Sequence, residues 1–181
     1  ERRSAEEKIR YLAEHDGLTG LPNRNALQAR LAATLDRVEA SGERLSLICV
    51  DLDHFKEAND LHGHLAGDAV LIEAARRLQA SVTAPSFAAR LGGDEFVVVQ
   101  VTDLDQPTAA AELAGQLLEA LKEGIVYEGQ DLAMAASLGV SLYPDDGRTG
   151  EALLANADMA LYRAKENGRG AYRFFKREMD E

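Results

Sequence analysis

The chain has 181 residues, 46% of them hydrophobic, and a formal net charge of −11 from 31 Asp and Glu against 20 Lys and Arg. That is enough for one well-packed core with an appendage at either end. The acidic balance excludes a surface that coats nucleic acid or seeks anionic lipid, but still allows a nucleotide held by a local lysine and a bound cation.

The lone cysteine, Cys49, sits in an apolar run, so no disulfide framework exists and a reducing compartment is allowed. No apolar stretch reaches the ~18 residues of a spanning helix and no signal-peptide pattern opens the chain, so a soluble chain is expected. Residues 1–15 are charged, with Ile9, Leu12 and Ala13 drawing a narrow helical stripe, too thin for a core helix. A helical linker from an upstream domain fits them. Residues 17–24 form a turn-rich break in which Asn23 is a candidate cap. Leu27, Leu31, Leu35 and Val38 then recur at helical spacing over residues 24–40.

Residues 45–51 are nearly continuously apolar, as in a central strand buried on both faces. A polar loop is expected over residues 54–59 and a helix over 64–80. Two strand-like runs, 86–89 and 96–101, flank Gly92-Gly93 and predict a hairpin. Pro107 opens a helix to about residue 123. Residues 125–127 and 132–141 predict strands, 150–167 a last helix, and 171–175 an edge strand. Interleaved helices and strands with a hairpin predict an α/β (α+β) fold whose central sheet is mixed and mainly antiparallel, flanked by helices.

Two places carry chemistry. Asp94 and Glu95 follow the glycine pair at the hairpin tip, which is either a solvated acidic turn or a phosphate-approach turn with metal-binding carboxylates. Asp51 and Asp53 end the buried run, at positions i and i+2, where ligands gather in α/β sheets. Pattern alone does not separate a strand capped by acids from a site. Should Asp51, Asp53, Asp94 and Glu95 converge, they would suit Mg²⁺, which takes hard oxygen ligands and keeps room for phosphates. His54, His62 and His64 match no common zinc spacing and are assigned to loop or helix-cap positions.

Arg90-Leu91-Gly92-Gly93-Asp94-Glu95-Phe96 resembles the signature of the GGDEF family, the diguanylate cyclases. Further motifs in the right order carry the resemblance from about residue 14 to 175. They are Asp16 to Arg24; Asp51 to Asp60 with Gly63-His64 and Gly67-Asp68; Ala136 to Val140; and Ala157-Asp158 through Ala160-Leu161-Tyr162 and Ala164-Lys165 to Gly168-Arg169. Spaced motifs in order are far more specific than one alone.

The resemblance implies a fold similar to nucleotide cyclase and polymerase palm domains. It also implies condensation of two GTP molecules into cyclic di-GMP by two domains meeting face to face. By position, Asp51, the Leu52 carbonyl, Asp94 and Glu95 would hold Mg²⁺, with Mn²⁺ as a substitute. Asp94 would take the 3′-hydroxyl proton, with Glu95 in support, as the catalytic pair. Gly92 and Gly93 would admit phosphate, Asn59 and Asp68 would read guanine with His64 ordering that pocket, and Lys165 and Arg169 would meet the γ-phosphate. Lys165 and Arg169, four apart near a helix end, could both reach one phosphate. A carboxylate at Asp68 can accept from guanine N1–H and the 2-amino group, a donor pair that adenine lacks.

Thr83-Ala84-Pro85-Ser86 stands where many members carry an inhibitory Arg-x-x-Asp motif, and it has neither charge, so no inhibitory product site is expected. The expected organisation is a linker over 1–15, the cyclase domain over 16–175, and a linker start over 176–181. A sensor domain upstream and an EAL phosphodiesterase domain downstream are the implied neighbours, with GTP and a second GGDEF domain as partners and the cytoplasm as the location. The competing reading is a GTP-binding module that makes little product and regulates an attached EAL domain.

Overall fold

A computed structural model describes residues 2–176 and 179. Alternation in the central strand organises it. Strand β1 (Arg44–Leu52) is buried from Leu45 onward. Leu45, Leu47 and Cys49 join one apolar cluster, while Ile48, Val50 and Leu52 join another. A strand buried on both faces reads as a continuous apolar run, and this one lies at the centre of the sheet.

The sheet has five strands, in the order β2-β3-β1-β6-β7, with β2 at Phe87–Gly92, β3 at Glu95–Thr102, β6 at Ala136–Tyr143 and β7 at Tyr172–Phe174. Strand β1 pairs antiparallel with β3 and β6, β2 pairs antiparallel with β3, and β7 joins the edge parallel to β6. The mixed, mainly antiparallel sheet is as expected. One face carries α2 (Arg24–Ser41) and α6 (Gly150–Glu166); the other carries α4 (His64–Ala80) and α5 (Thr108–Ala120). Helix α6 lies directly on β6 at Gly139, where a Cβ would fall 2.0 Å from the Ala157 carbonyl oxygen. Only glycine allows that approach.

The lead-in is helical, α1 (Arg2–Glu14), and buries none of its residues. Asn23 caps α2, its Oδ1 accepting from the Ala26 amide at 3.0 Å, and its Nδ2 donates back to the Leu12 and Ala13 carbonyls at the end of α1.

Two expectations need correction. Residues 54–59 are not a loop: α3 spans Phe55–His62. It buries no residue fully, only Phe55 packing on the core, and its 8 residues are too few for the repeat that marks a longer core helix. The run 132–141 is not one strand. Residues 133–135 break it, and β5 (Gln130–Leu132) pairs with β4 (Ile125–Tyr127) in a separate hairpin. Of the charged exit expected over 176–181, residues 177, 178, 180 and 181 lie outside the described residues. Among the described residues no helix is long and apolar enough to cross a membrane.

Candidate functional site

The β1–β3 register sets the first part of the site. Asp51 stands directly opposite Glu95, so the two carboxylates leave the same face of neighbouring strands. The Leu52 amide donates to the Asp94 carbonyl at 3.3 Å, tying the end of β1 to the hairpin tip. Between β2 and β3 the register shifts from Arg90↔Phe96 to Gly92↔Glu95, a bulge at the turn. Gly92 (φ 145°) and Gly93 (φ 51°) both adopt positive φ there, and no atom lies within 4 Å of a Cβ built on either. The glycine pair is needed for backbone shape and leaves open space at the tip.

Asp51 is buried. Its Oδ2 meets the Lys165 ammonium of α6, while its Oδ1 has no hydrogen-bond partner among the described residues. Lys165, expected at a phosphate, therefore pairs with Asp51. Burial lowers its pKa, and the nearby Arg169 charge lowers it further. Arg169 does not share the helix with it: α6 ends at Glu166, and Arg169 sits beyond it in a left-handed conformation (φ 62°), its amide donating to the Ala164 carbonyl. The i, i+4 argument thus fails, although the two cations remain electrostatic neighbours.

Burial raises the pKa of Asp94 against the lowering pull of Arg90. Partial desolvation also raises that of Glu95, an exposed residue, with the negative charges of Asp158 and Asp94 adding to it and Arg24 opposing. Both are carboxylates held as readier proton acceptors than in water.

The four-carboxylate convergence does not occur. Asp53 lies past the strand end and accepts from the Ser137 hydroxyl at 2.8 Å and the Gly170 amide at 3.1 Å. Its oxygens fasten β6 and the turn after α6. Among the described residues no three acids, histidines or cysteines form a metal-binding group. The chemistry of the donors still fits a small hard cation: an orphaned buried oxygen on Asp51, with Glu95 across from it and Asp94 beside it.

A second group lies on helices. Asn59 sits on α3 and Asp68 on α4, both partly buried, with Gly63 (φ 92°) breaking the chain between the helices. His64 is the first residue of α4 and is exposed. His54, at the cap position of α3, meets Glu57 at 2.7 Å. Two cavities flank the strand ends. One of about 250 Å³ under α3 includes Leu52, and one of about 360 Å³ between the sheet and α6 includes Glu95. Neither encloses the expected set.

Sequence reasoning gave Arg90 no role of its own. Its Nε and Nη2 donate to the Gly93 carbonyl at 3.1 and 2.8 Å, and its Nη1 lies 2.9 Å from the Asp16 carboxylate. Burial pushes the Asp16 pKa up, but the Thr19 hydroxyl and amide and the Arg90 guanidinium outweigh it and hold the carboxyl below its ordinary value. A brace thus runs from the turn after α1 to the hairpin tip. The legible signal was an Asp three residues before a Thr in a turn-rich segment.

An antiparallel-centred sheet flanked by helices, with acids gathered at one end of its central strand and adjoining hairpin, defines an α/β domain with its chemistry at the strand ends. A family model described as "Diguanylate cyclase, GGDEF domain" matches residues 13–171, and the chain belongs to this family. An uncharacterized signaling protein of Caulobacter vibrioides is 77% identical over 100% of the chain, which spans 22% of that relative. The bifunctional diguanylate cyclase/cyclic di-GMP phosphodiesterase MucR of Pseudomonas aeruginosa is 41% identical over 97% of the chain, which spans 25% of MucR. The solved GGDEF domain of TpbB from Pseudomonas aeruginosa matches with a TM-score of 0.86 at 36% identity, covering 92% of this chain and 96% of that one. The chain thus spans about a quarter or less of the length of these curated relatives.

Proposed function

We propose that this domain condenses two GTP molecules into cyclic di-GMP, releasing two pyrophosphates, as one half of a face-to-face pair. The observation that carries this reading is the buried Oδ1 of Asp51, left without a partner directly across from Glu95 and beside the open glycine turn. A stranded carboxylate oxygen costs about 1–3 kcal/mol or more, a penalty that a ligand removes. Asp51, the Leu52 carbonyl, Asp94 and Glu95 would hold Mg²⁺, or Mn²⁺ in its place. The bound ion supplies charge neutralisation for the triphosphate and a lowered pKa for a coordinated hydroxyl.

Gly92 and Gly93 let the backbone approach the phosphates. Asp68 and Asn59 orient guanine, with His64 bordering them. Lys165 leaves Asp51 for the γ-phosphate when the nucleotide arrives, and Arg169 reaches the same group from its turn. Asp94 accepts the proton of the ribose 3′-hydroxyl as the general base. The freed oxygen attacks the α-phosphorus of the GTP on the partner domain, and pyrophosphate departs. Repetition in the opposite sense closes the ring.

The domain boundaries follow as 16–175, with linkers at 1–15 and 176–181 to a sensor and an EAL domain. The short share of MucR that the chain spans supports such neighbours. The cytoplasm, where GTP is present, is the working compartment. Without Arg or Asp in residues 83–86, added product leaves the rate unchanged through that loop.

Incubation of the chain with GTP and Mg²⁺ at high protein concentration, and again after forced dimerisation, tests the reading. Cyclic di-GMP should form in the second case at least. GTP binding without any product in either would replace the cyclase with a regulatory GTP-binding module. No GTP binding would overturn both.

A further inference from the structure

Asn59 and Gly67 lie four residues to either side of Gly63, the break between α3 and α4. The chain turns there so that the two positions face each other. A Cβ on Gly67 would fall 1.6 Å from Asn59 Oδ1, 2.7 Å from its Cγ and 3.3 Å from its Nδ2. These nearest atoms all belong to one side-chain end. The Asn59 amide therefore occupies the space that any other residue at position 67 would fill with its own side chain. Its Oδ1 is buried there without a hydrogen-bond partner among the described residues, so no bond to the protein holds that oxygen in place. Packing against the bare Gly67 backbone is what orients it.

Gly67 is helical, in the first turns of α4, and its φ is not positive. Backbone conformation thus does not require glycine, and a helix interior favours alanine by about 1 kcal/mol. The exclusion of a side chain is local and concerns Asn59. We propose that Gly67 is a positioning residue for base recognition: its missing side chain is the slot that seats the Asn59 amide beside Asp68. This rests on the guanine-reading role proposed for Asn59 and Asp68. A methyl group in the slot expels the amide while leaving the metal end of the site, on other elements, untouched.

The test compares wild type, Gly67→Ala, Asn59→Ala and the double variant. The probes are 3′-deoxy-GTP, which lacks the attacking hydroxyl, and tripolyphosphate, which lacks the base, each measured by calorimetry with Mg²⁺. Gly67→Ala should weaken 3′-deoxy-GTP about tenfold, the ordinary worth of one misplaced hydrogen bond. Tripolyphosphate binding should stay unchanged, and Gly67→Ala should add no loss on the Asn59→Ala background, since the two share one interaction. A full further loss in the double variant, an equal loss for tripolyphosphate, or no loss at all would overturn the proposal.

Should Gly67→Ala fail to fold, the double variant must fold, because the amide that collides is gone. Failure of both also overturns it. If wild type binds 3′-deoxy-GTP no better than tripolyphosphate, the guanine reading falls. The Asn59 side-chain amide resonances of Gly67→Ala then decide the coupling alone: displaced signals sustain it, and unmoved signals end it.

Discussion

The two halves of the site are built from different material. At the strand ends, Asp51 and Glu95 are set by the β1–β3 register, and a slip of one residue between the strands would put them on opposite faces. At the helices, Asn59 lies on α3, which buries none of its residues, and it is joined to Asp68 only across the Gly63 break. One half is fixed by buried neighbours on both sides of the sheet. The other rests on two helices that approach closely where Asn59 meets Gly67. Under the proposed function the register-set half would carry proton transfer and metal binding, which tolerate little displacement, and the helical half a base that must enter and leave.

The largest expected effect tests the rigid half. Asp94→Asn should lower cyclic di-GMP formation about a thousandfold, as loss of a general base does, while GTP binding is retained. Normal turnover in that variant would remove Asp94 from its role. In the helical half, Asp68→Ala should reduce discrimination of GTP from ATP about a hundredfold, because the charge proposed to accept from the guanine edge is gone. Competition binding measures this, and an equal loss for both nucleotides would assign Asp68 to structure.

The brace gives a smaller effect and joins the comparison to α1. Arg90→Gln should cost about 2 kcal/mol of stability, since Arg90 and Asp16 are mostly but not fully buried. Turnover should fall as the Gly93 carbonyl loses its donors. The pH dependence has a defined sign. Asp16 has a folded pKa below its unfolded value, so its contribution is present above about pH 4 and is lost as pH falls through the depressed value. Thermal melts from pH 7 to 2 should therefore show wild type and variant converging at the acid end. A constant gap would mean that Arg90 stabilises by packing alone.

The smallest effect concerns Glu95. Asp158→Asn removes one of the charges that, after burial, raises its pKa. In the metal-free chain the Glu95 titration, followed by NMR, should move toward the ordinary carboxylate range. A titration that stays in place would show burial to be the whole cause.

Much of the molecule was legible because its signals are local or periodic. The continuous run through Val50, the glycine pair and the Leu spacing of α2 each name an element from a few neighbouring residues. Helix α3 was missed because it is short and sets only Phe55 against the core, and the break at 133–135 was missed because β5 turns back on its near neighbour β4 while β6 pairs with β1, far away in the chain. Asp53 was misjudged for the same reason: Ser137 and Gly170, which hold it, are far away in the chain.

By itself the sequence determined the fold class, the family motifs and the acids that end β1 and open β3. The tertiary structure alone decided which of those acids share a face, that Lys165 rests on Asp51, that Arg90 joins the hairpin to the turn after α1, and that Asn59 fills the space above Gly67. The physical reason is range. Periodicity and turn chemistry act over a few residues, whereas a charge pair or a close approach exists only once distant segments are packed together.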